Sequence, residues 1–387
     1  MLYADIASTS WPKSQEVKDI INMYLDTLGV TPGRSLSQQS KKVTELIEEC
    51  RHELIEQTRL NGLGTAIFNS GATYSLNECI KGTLKPGDNV ITTHLEHNSV
   101  LRPINHLKDI GVSSQLIDVT EGEIDISHLE FLLKNKRTKL LVVHSCSNTI
   151  GTFCNIDEVG KLAHLYGTMV LVDGSQSFGS QLIDLLKGNI DYLVFSGHKS
   201  LGGVSGIGGY FILDNEFSHS ELIQGGTGVL SRLTTQPVGI PYKYESGTQN
   251  TIGILSLLAS IRRLKKIGIE NIQNQLQTLR TNLIDELSQL KKVKLICKYN
   301  VGVPTILFTV EGYHPGEISY ILENKYNIIT RPGLQCAPLA HKKFGTYPDG
   351  AVRVSLDTSH TMEDILKIKS ALLEITEESY AGNTYNE

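Results

Sequence analysis

The chain has 387 residues, 40% of them hydrophobic and 20% charged. That is enough for about two or three domains with substantial cores and excludes a disordered chain. With 36 Lys and Arg against 41 Asp and Glu, the net charge is −5, which gives no surplus of basic charge to attract nucleic acid or an anionic membrane.

The opening residues Met1-Leu2-Tyr3-Ala4-Asp5 contain no basic region running into an apolar stretch, and no apolar run approaches the roughly 20 residues that cross a bilayer. A soluble cytoplasmic protein is expected, with neither membrane nor nucleic acid as a partner. Of the six cysteines, none form a C-x-x-C pair, and no metal site is expected. Cys50, Cys79, Cys146, Cys154 and Cys297 read as small buried residues; Cys336 reads differently, as argued below.

Taken in chain order, Thr65 to Phe68 reads as a strand entering the small-residue turn Asn69-Ser70-Gly71-Ala72-Thr73, with a helix expected over 75–84. Free N–H groups at a helix start suit a phosphate, although Thr73 and Ser75 serve equally as ordinary caps. A strand over 89–92 leads into His94-Leu95-Glu96-His97-Asn98-Ser99. There a histidine can stack on a planar ring or simply be hydrogen-bonded in the structure. Strands follow over 115–119 and 139–144, then a helix over 156–166.

Met169-Val170-Leu171-Val172-Asp173 is an apolar strand ending in a carboxylate, the strand end at which open α/β sheets bind ligands. Tyr192 to Phe195 runs into Ser196-Gly197-His198-Lys199, and a strand over 209–213 follows. Read alone, Lys199 is an ordinary solvated surface group and Asp173 a common turn cap. Read together, a strand-end lysine and a strand-end aspartate suit pyridoxal phosphate, whose aldehyde needs an amine and whose pyridine nitrogen needs an acid.

After residue 251 the texture changes to two consecutive helices, 252–267 and 269–290. A strand (305–310), a helix (315–325), a strand (351–356) and a helix from Met362 complete the chain. The first two thirds predict a mainly parallel sheet covered by helices, and the remainder a smaller α+β unit. The expected division is a large domain over 15–256 and a small C-terminal domain over 257–387, with residues 1–14 packing on the small domain or near the site. The loop Thr330-Arg331-Pro332-Gly333-Leu334-Gln335-Cys336-Ala337-Pro338 makes Cys336 accessible to chemistry without establishing it.

In this order the segments resemble the cysteine desulfurase branch of the class V aminotransferase superfamily, which has the pyridoxal-phosphate transferase fold type I. The likeness runs from Tyr3-Ala4-Asp5-Ile6-Ala7-Ser8 to Ala351-Val352-Arg353-Val354-Ser355. It implies that Lys199 is the Schiff-base lysine, Asp173 the partner of the pyridine nitrogen and Gln176 a hydrogen-bond partner of the ring hydroxyl. It further implies that His97 stacks on the ring and assists proton transfer, while Ala72, Thr73, Ser196 and His198 hold the phosphate.

Gly226-Thr227 matches a pair that relatives donate across a homodimer interface to the partner's phosphate. Asn148 and Arg353 match the groups that receive the substrate, the latter able to fork onto a carboxylate. Cys336 stands where the family keeps the thiol that takes sulfur from L-cysteine, leaving L-alanine and a persulfide for a sulfur-acceptor protein. The alternatives implied are a selenocysteine lyase or another C–S lyase, an aminotransferase or epimerase of the same fold and, ranked last, a non-catalytic scaffold. Three positions depart from the family pattern. Ile6 stands where asparagine is usual, Ser35-Leu36-Ser37 where many relatives have a histidine, and Gln335 where the residue before the cysteine is usually histidine.

Overall fold

The computed structural model describes residues 1–33, 37–60, 62–120, 122–213 and 219–383. The departure at Ser35-Leu36 lies outside them. Seven strands form the central sheet. They are β1 (Gly64–Asn69), β2 (Asn89–Thr93), β3 (Ser113–Ile117), β4 (Leu140–His144), β5 (Met169–Asp173), β6 (Tyr192–Ser196) and β7 (Gly208–Leu213), in the spatial order 1-7-6-5-4-2-3. β7 runs antiparallel to both neighbours, and the other pairs are parallel.

The strands are apolar on both faces because both faces are covered. Leu141, Val143, Val170, Val172, Leu193 and Phe195 enter one core, with the helices Gln38–Glu56 and Thr251–Ile267. The alternate residues Leu140, Val142, Leu171, Tyr192 and Val194 enter the other, with the helices Ala72–Thr83 and Asn98–Lys108. The period of two along a strand then puts His144, Asp173 and Ser196 on this second face, at the carboxyl ends of β4, β5 and β6.

β1 is an edge strand, and its open side is closed by side chains. Glu245 accepts from the Phe68 N–H at 2.8 Å and pairs with Arg51 at 2.7 Å, while Arg51 also donates to the Ala66 carbonyl. This satisfies edge groups that would otherwise offer a pairing template, and it fixes the strand that leads into the Asn69–Gly71 turn.

Two elements differ from expectation. β3 covers 113–117 rather than 115–119, because its register pairs Ser113 with Asn89, and Val119 instead pairs with Ile124 in a short hairpin. The helix expected over 75–84 begins at Ala72, which brings its first N–H groups into the turn.

The smaller sheet is three-stranded and antiparallel (Val293–Leu295, Thr305–Val310 and Val352–Ser355). It carries the helices Ile269–Ser288, Pro315–Tyr326 and Met362–Asn383 over its own core. The position 256/257 falls inside the helix Thr251–Ile267, whose Leu255, Leu257, Leu258 and Ile261 all pack in the large core.

The N-terminal segment ties the two units together. Leu2–Tyr3 pairs in parallel with Ile328–Ile329, and Asp5 bridges to Ser355. Further along, Thr9 Oγ1 and the Ser10 N–H both donate to the His198 carbonyl, at 3.1 and 2.9 Å. No helix among the described residues is long and apolar enough to cross a membrane.

Candidate active site

At the carboxyl edge of the parallel strands lies a cavity of about 250 Å³. Its walls bring together Ala72, Thr73, His97, Asn148, Asp173, Gln176, Ser196, His198 and Lys199, nine residues expected from widely separated parts of the chain. One end is the start of the helix Ala72–Thr83. Its N-cap is Gly71, at φ 140° and with no side-chain cap, so the first N–H groups of the helix are left for an anion.

One backbone conformation and one close approach explain the glycines. Gly71 holds a positive φ that other residues rarely adopt. A Cβ on Gly208 would stand 2.6 Å from Gly71 Cα. Asn69 shapes the turn, accepting from the Gly71 N–H at 3.0 Å and donating to Ser75 Oγ at 2.8 Å. Close by, His198 Nδ1 is buried with no hydrogen-bond partner. An uncapped helix start beside an orphaned ring nitrogen fits a phosphate, so the donor set of this cavity matches the phosphate end of pyridoxal phosphate.

The opposite end is set by β5 and the turn after β6. Asp173 is buried, and its Oδ1 accepts from the Ser175 N–H and Oγ at 2.9 and 2.5 Å. Lys199 has its amine pushed below the ordinary lysine value by burial, opposed by Asp173; Cys336, Arg353 and Asp5 also lie close enough to act on it. Gln176 and Lys199 form a wall shared with a second cavity of about 280 Å³, between the N-terminal segment and the small unit. Gln176 Nε2 donates to the Ala7 carbonyl at 2.9 Å.

His97 caps the helix Asn98–Lys108, its Nδ1 accepting from the Ser99 N–H at 3.0 Å. Burial, aided by the Lys199 charge, lowers its pKa to about 4, so the ring is neutral at pH 7. A neutral ring accepting through Nδ1 carries its hydrogen on Nε2. A relay of Thr73 Oγ1 to Ser99 Oγ (2.8 Å) and Ser99 Oγ to His97 Nδ1 (2.8 Å) ties this ring to the start of the helix Ala72–Thr83.

The cysteine loop is fastened beside the cavity, whose lining includes neither Cys336 nor Arg353. Cys336 is the exposed cysteine among the six, and the other five are buried as expected. Gln335 and Cys336 both hold left-handed backbone, with φ of 41° and 58°. Such a conformation in successive non-glycine residues needs external support. The large unit supplies it. Asn148 Nδ2 donates to the Gln335 carbonyl at 2.8 Å, and the Asn98 N–H to the Cys336 carbonyl at 2.7 Å.

The Gln335 side chain bonds the Arg331 and Ala351 carbonyls and His341 Nε2. It braces the loop from beneath. Arg353 is buried. It donates to Asp5 Oδ1 at 2.6 Å, Ser8 Oγ at 2.9 Å and the Asn148 carbonyl at 2.9 Å, and its Nε has no partner.

Gly226 and Thr227 are not on this cavity. Thr227 lines a separate one with Gly228, Val229 and Glu245. Two further residues at the site were not singled out from the sequence, His144 on the cavity wall and Glu96 behind it. Their signal was present in a histidine at the end of an apolar strand and a glutamate beside His97.

The sequence profile described as "Aminotransferase class-V" matches residues 2–368. A probable cysteine desulfurase of Pyrococcus abyssi is 30% identical over 97% of this chain and 94% of its own length. One from Mycolicibacterium paratuberculosis is 28% identical over 97% of this chain, which spans 56% of that longer relative. Among solved structures, the apo cysteine desulfurase of Thermococcus onnurineus NA1 superposes with a TM-score of 0.88 at 27% identity, covering 97% of this chain and 95% of the other.

Proposed function

Because the chain belongs to the class V aminotransferase superfamily and within it to the cysteine desulfurase branch, we propose that it binds pyridoxal phosphate and converts L-cysteine to L-alanine, with Cys336 taking the sulfur. The observation that carries this reading is the gathering of Lys199 and Asp173 on one cavity wall, with the Cys336 loop fastened to the helix that His97 caps.

In this reading the Ala72 helix start, Thr73, Ser196 and His198 would hold the phosphate, Asp173 would serve the pyridine nitrogen, Gln176 the ring hydroxyl, and His97 the ring face. Pyridoxal phosphate supplies an electron sink for negative charge at the substrate Cα. Lys199 would hold its aldehyde end, and once freed its amine, lowered in pKa by burial, would be suited to take up and return a proton. Arg353 and Asn148 orient the substrate. Cys336 Sγ bonds the substrate sulfur as the substrate C–S bond breaks, and a proton delivered to Cβ completes alanine. The thiol becomes a persulfide, so no external oxidant is needed.

The expectation of a homodimer rests on the segment holding Gly226-Thr227, which exposes Leu222, Ile223, Leu230, Leu233 and Val238. A second copy covering these side chains would bring Gly226-Thr227 to its partner's phosphate. Sedimentation that finds a fully active monomer excludes this arrangement.

The deciding experiment incubates the protein with cysteine, selenocysteine and cystine and quantifies alanine, pyruvate and sulfide. Alanine in step with persulfide on Cys336 supports the desulfurase. Pyruvate from cystine, or alanine from selenocysteine alone, assigns a lyase instead.

A further inference from the structure

Behind Asp173 stands a buried pair that no step above uses. Glu96 is fully buried, and its Oε1 accepts from Thr93 Oγ1 at 2.8 Å and from the His144 N–H at 3.1 Å. The same oxygen meets His144 Nδ1 at 2.7 Å. An oxygen already taking two donors is an acceptor for the third, so Nδ1 carries a hydrogen.

His144 Nε2 is buried with no hydrogen-bond partner, a costly state for a ring nitrogen. His144 ends β4, and its registered neighbour on β5 is Asp173. Paired residues on neighbouring parallel strands put their side chains on one face, about 5 Å apart, and both residues line the cofactor cavity. Ser175 occupies Asp173 Oδ1 and leaves the second carboxylate oxygen to other partners. Burial works against charge on His144, but Glu96, seconded by Asp173, more than offsets it and raises its pKa.

We propose that His144 is a positioning residue for Asp173. The ring is anchored by Glu96 through Nδ1–H. Its Nε2–H, which makes no hydrogen bond in this structure, is taken up by the neighbouring Asp173 carboxylate when the cofactor is bound and fixes that group for the pyridine nitrogen. The inference rests on the reading of the cavity as a pyridoxal-phosphate site. Its acid is thus held in a row, Glu96 to His144 to Asp173, that begins outside the cavity.

Two substitutions separate the two arms of the ring. His144→Asn keeps an amide where Nδ1 stands and so satisfies Glu96, but loses the arm toward Asp173. His144→Gln reaches the position of Nε2 and gives up the arm toward Glu96. Apo-protein of each is titrated with pyridoxal phosphate labelled with ¹⁵N at the pyridine nitrogen, and thermal unfolding is recorded alongside. Loss of one charge-assisted hydrogen bond predicts about tenfold weaker cofactor binding by the Asn variant. Its ring-nitrogen resonance should move toward the unprotonated position, and the Gln variant should restore most of both.

If the Asn variant binds and resonates like the wild type while the Gln variant alone is destabilised, His144 serves Glu96 only, and the proposal is overturned. No binding by the wild type overturns the cofactor reading itself, a separate outcome. Independently of binding, ¹⁵N-histidine-labelled wild-type apo-protein should show both ring nitrogens of His144 protonated at pH 7. An unprotonated Nε2 overturns the proposal even if both variants fail to fold.

Discussion

Replacing Arg353 by lysine separates a residue that receives substrate from one that only braces the fold. The guanidinium makes three hydrogen bonds, to Asp5, Ser8 and the Asn148 carbonyl, at 2.6, 2.9 and 2.9 Å. A shorter ammonium keeps the charge pair with Asp5 and loses the fork. At about 1.5 kcal/mol for each of two lost bonds to a charged donor, Arg353→Lys should lower unfolding stability by about 3 kcal/mol. Urea titration at pH 7 measures this.

If Arg353 also binds the substrate carboxylate, the same variant should raise the KM for cysteine by about tenfold or more, tenfold being about 1.4 kcal/mol, while cofactor absorbance is retained. Asp5→Asn provides the control, because it removes the internal carboxylate that shares the guanidinium and should not raise KM. Lost stability with an unchanged KM in Arg353→Lys would refute the substrate role and leave Arg353 as the fastening between the N-terminal segment and the Asn148 turn.

Borohydride reduction of the cofactor-loaded protein followed by peptide mapping should label Lys199; a label elsewhere, or none, removes the central assignment. Asp173→Asn should retain some cofactor and lose most turnover, about a hundredfold for a lost charge pair of roughly 3 kcal/mol, and near-normal turnover in a folded variant contradicts the role. Cys336→Ser should keep the cofactor spectrum and release almost no sulfur, so alanine and persulfide formed at the wild-type rate would rule out transfer through this thiol.

Acidification tests the buried histidines. Burial lowers His97, His198 and His341 to about 4 and His219 to about 3. Each therefore binds a proton more weakly folded than unfolded, and its contribution is lost as pH falls from about 6.5 toward the folded value. Glu78, raised by burial to about 7, runs the other way between about 7 and 4.5. His144, His164 and His360, held above the ordinary histidine value by Glu96, Asp191 and Asp357, also run the other way, so the test is made one group at a time. Relative to the wild-type apo-protein, His219→Gln should lose less stability, by urea midpoint, between pH 7 and pH 5, and an unchanged slope in that variant contradicts the reading.

The sequence by itself determined most strands of the central sheet and that helices would cover it. A run such as Leu140–His144 or Met169–Asp173 is apolar at every position but its last, because a parallel strand covered on both sides has no exposed face to mark with polar residues. Asp173 and Lys199 were legible for the same reason, being polar groups where an apolar strand or its turn ends. Ala72 and Thr73 were named for the phosphate, but the helix start at Ala72 was not, since a turn of small residues carries little periodicity.

Only the tertiary structure decided the rest. Local pattern cannot show that Arg353 pairs with an aspartate 348 positions away, nor that the Gln335 side chain is bound beneath its loop. It also could not show that Glu96 reaches His144 across 48 residues. His144 and Asp173 stand side by side because β4 and β5 are adjacent in the sheet and in a fixed register. Adjacency and register are set by the packing of helices on both faces, a property of the whole chain rather than of any segment.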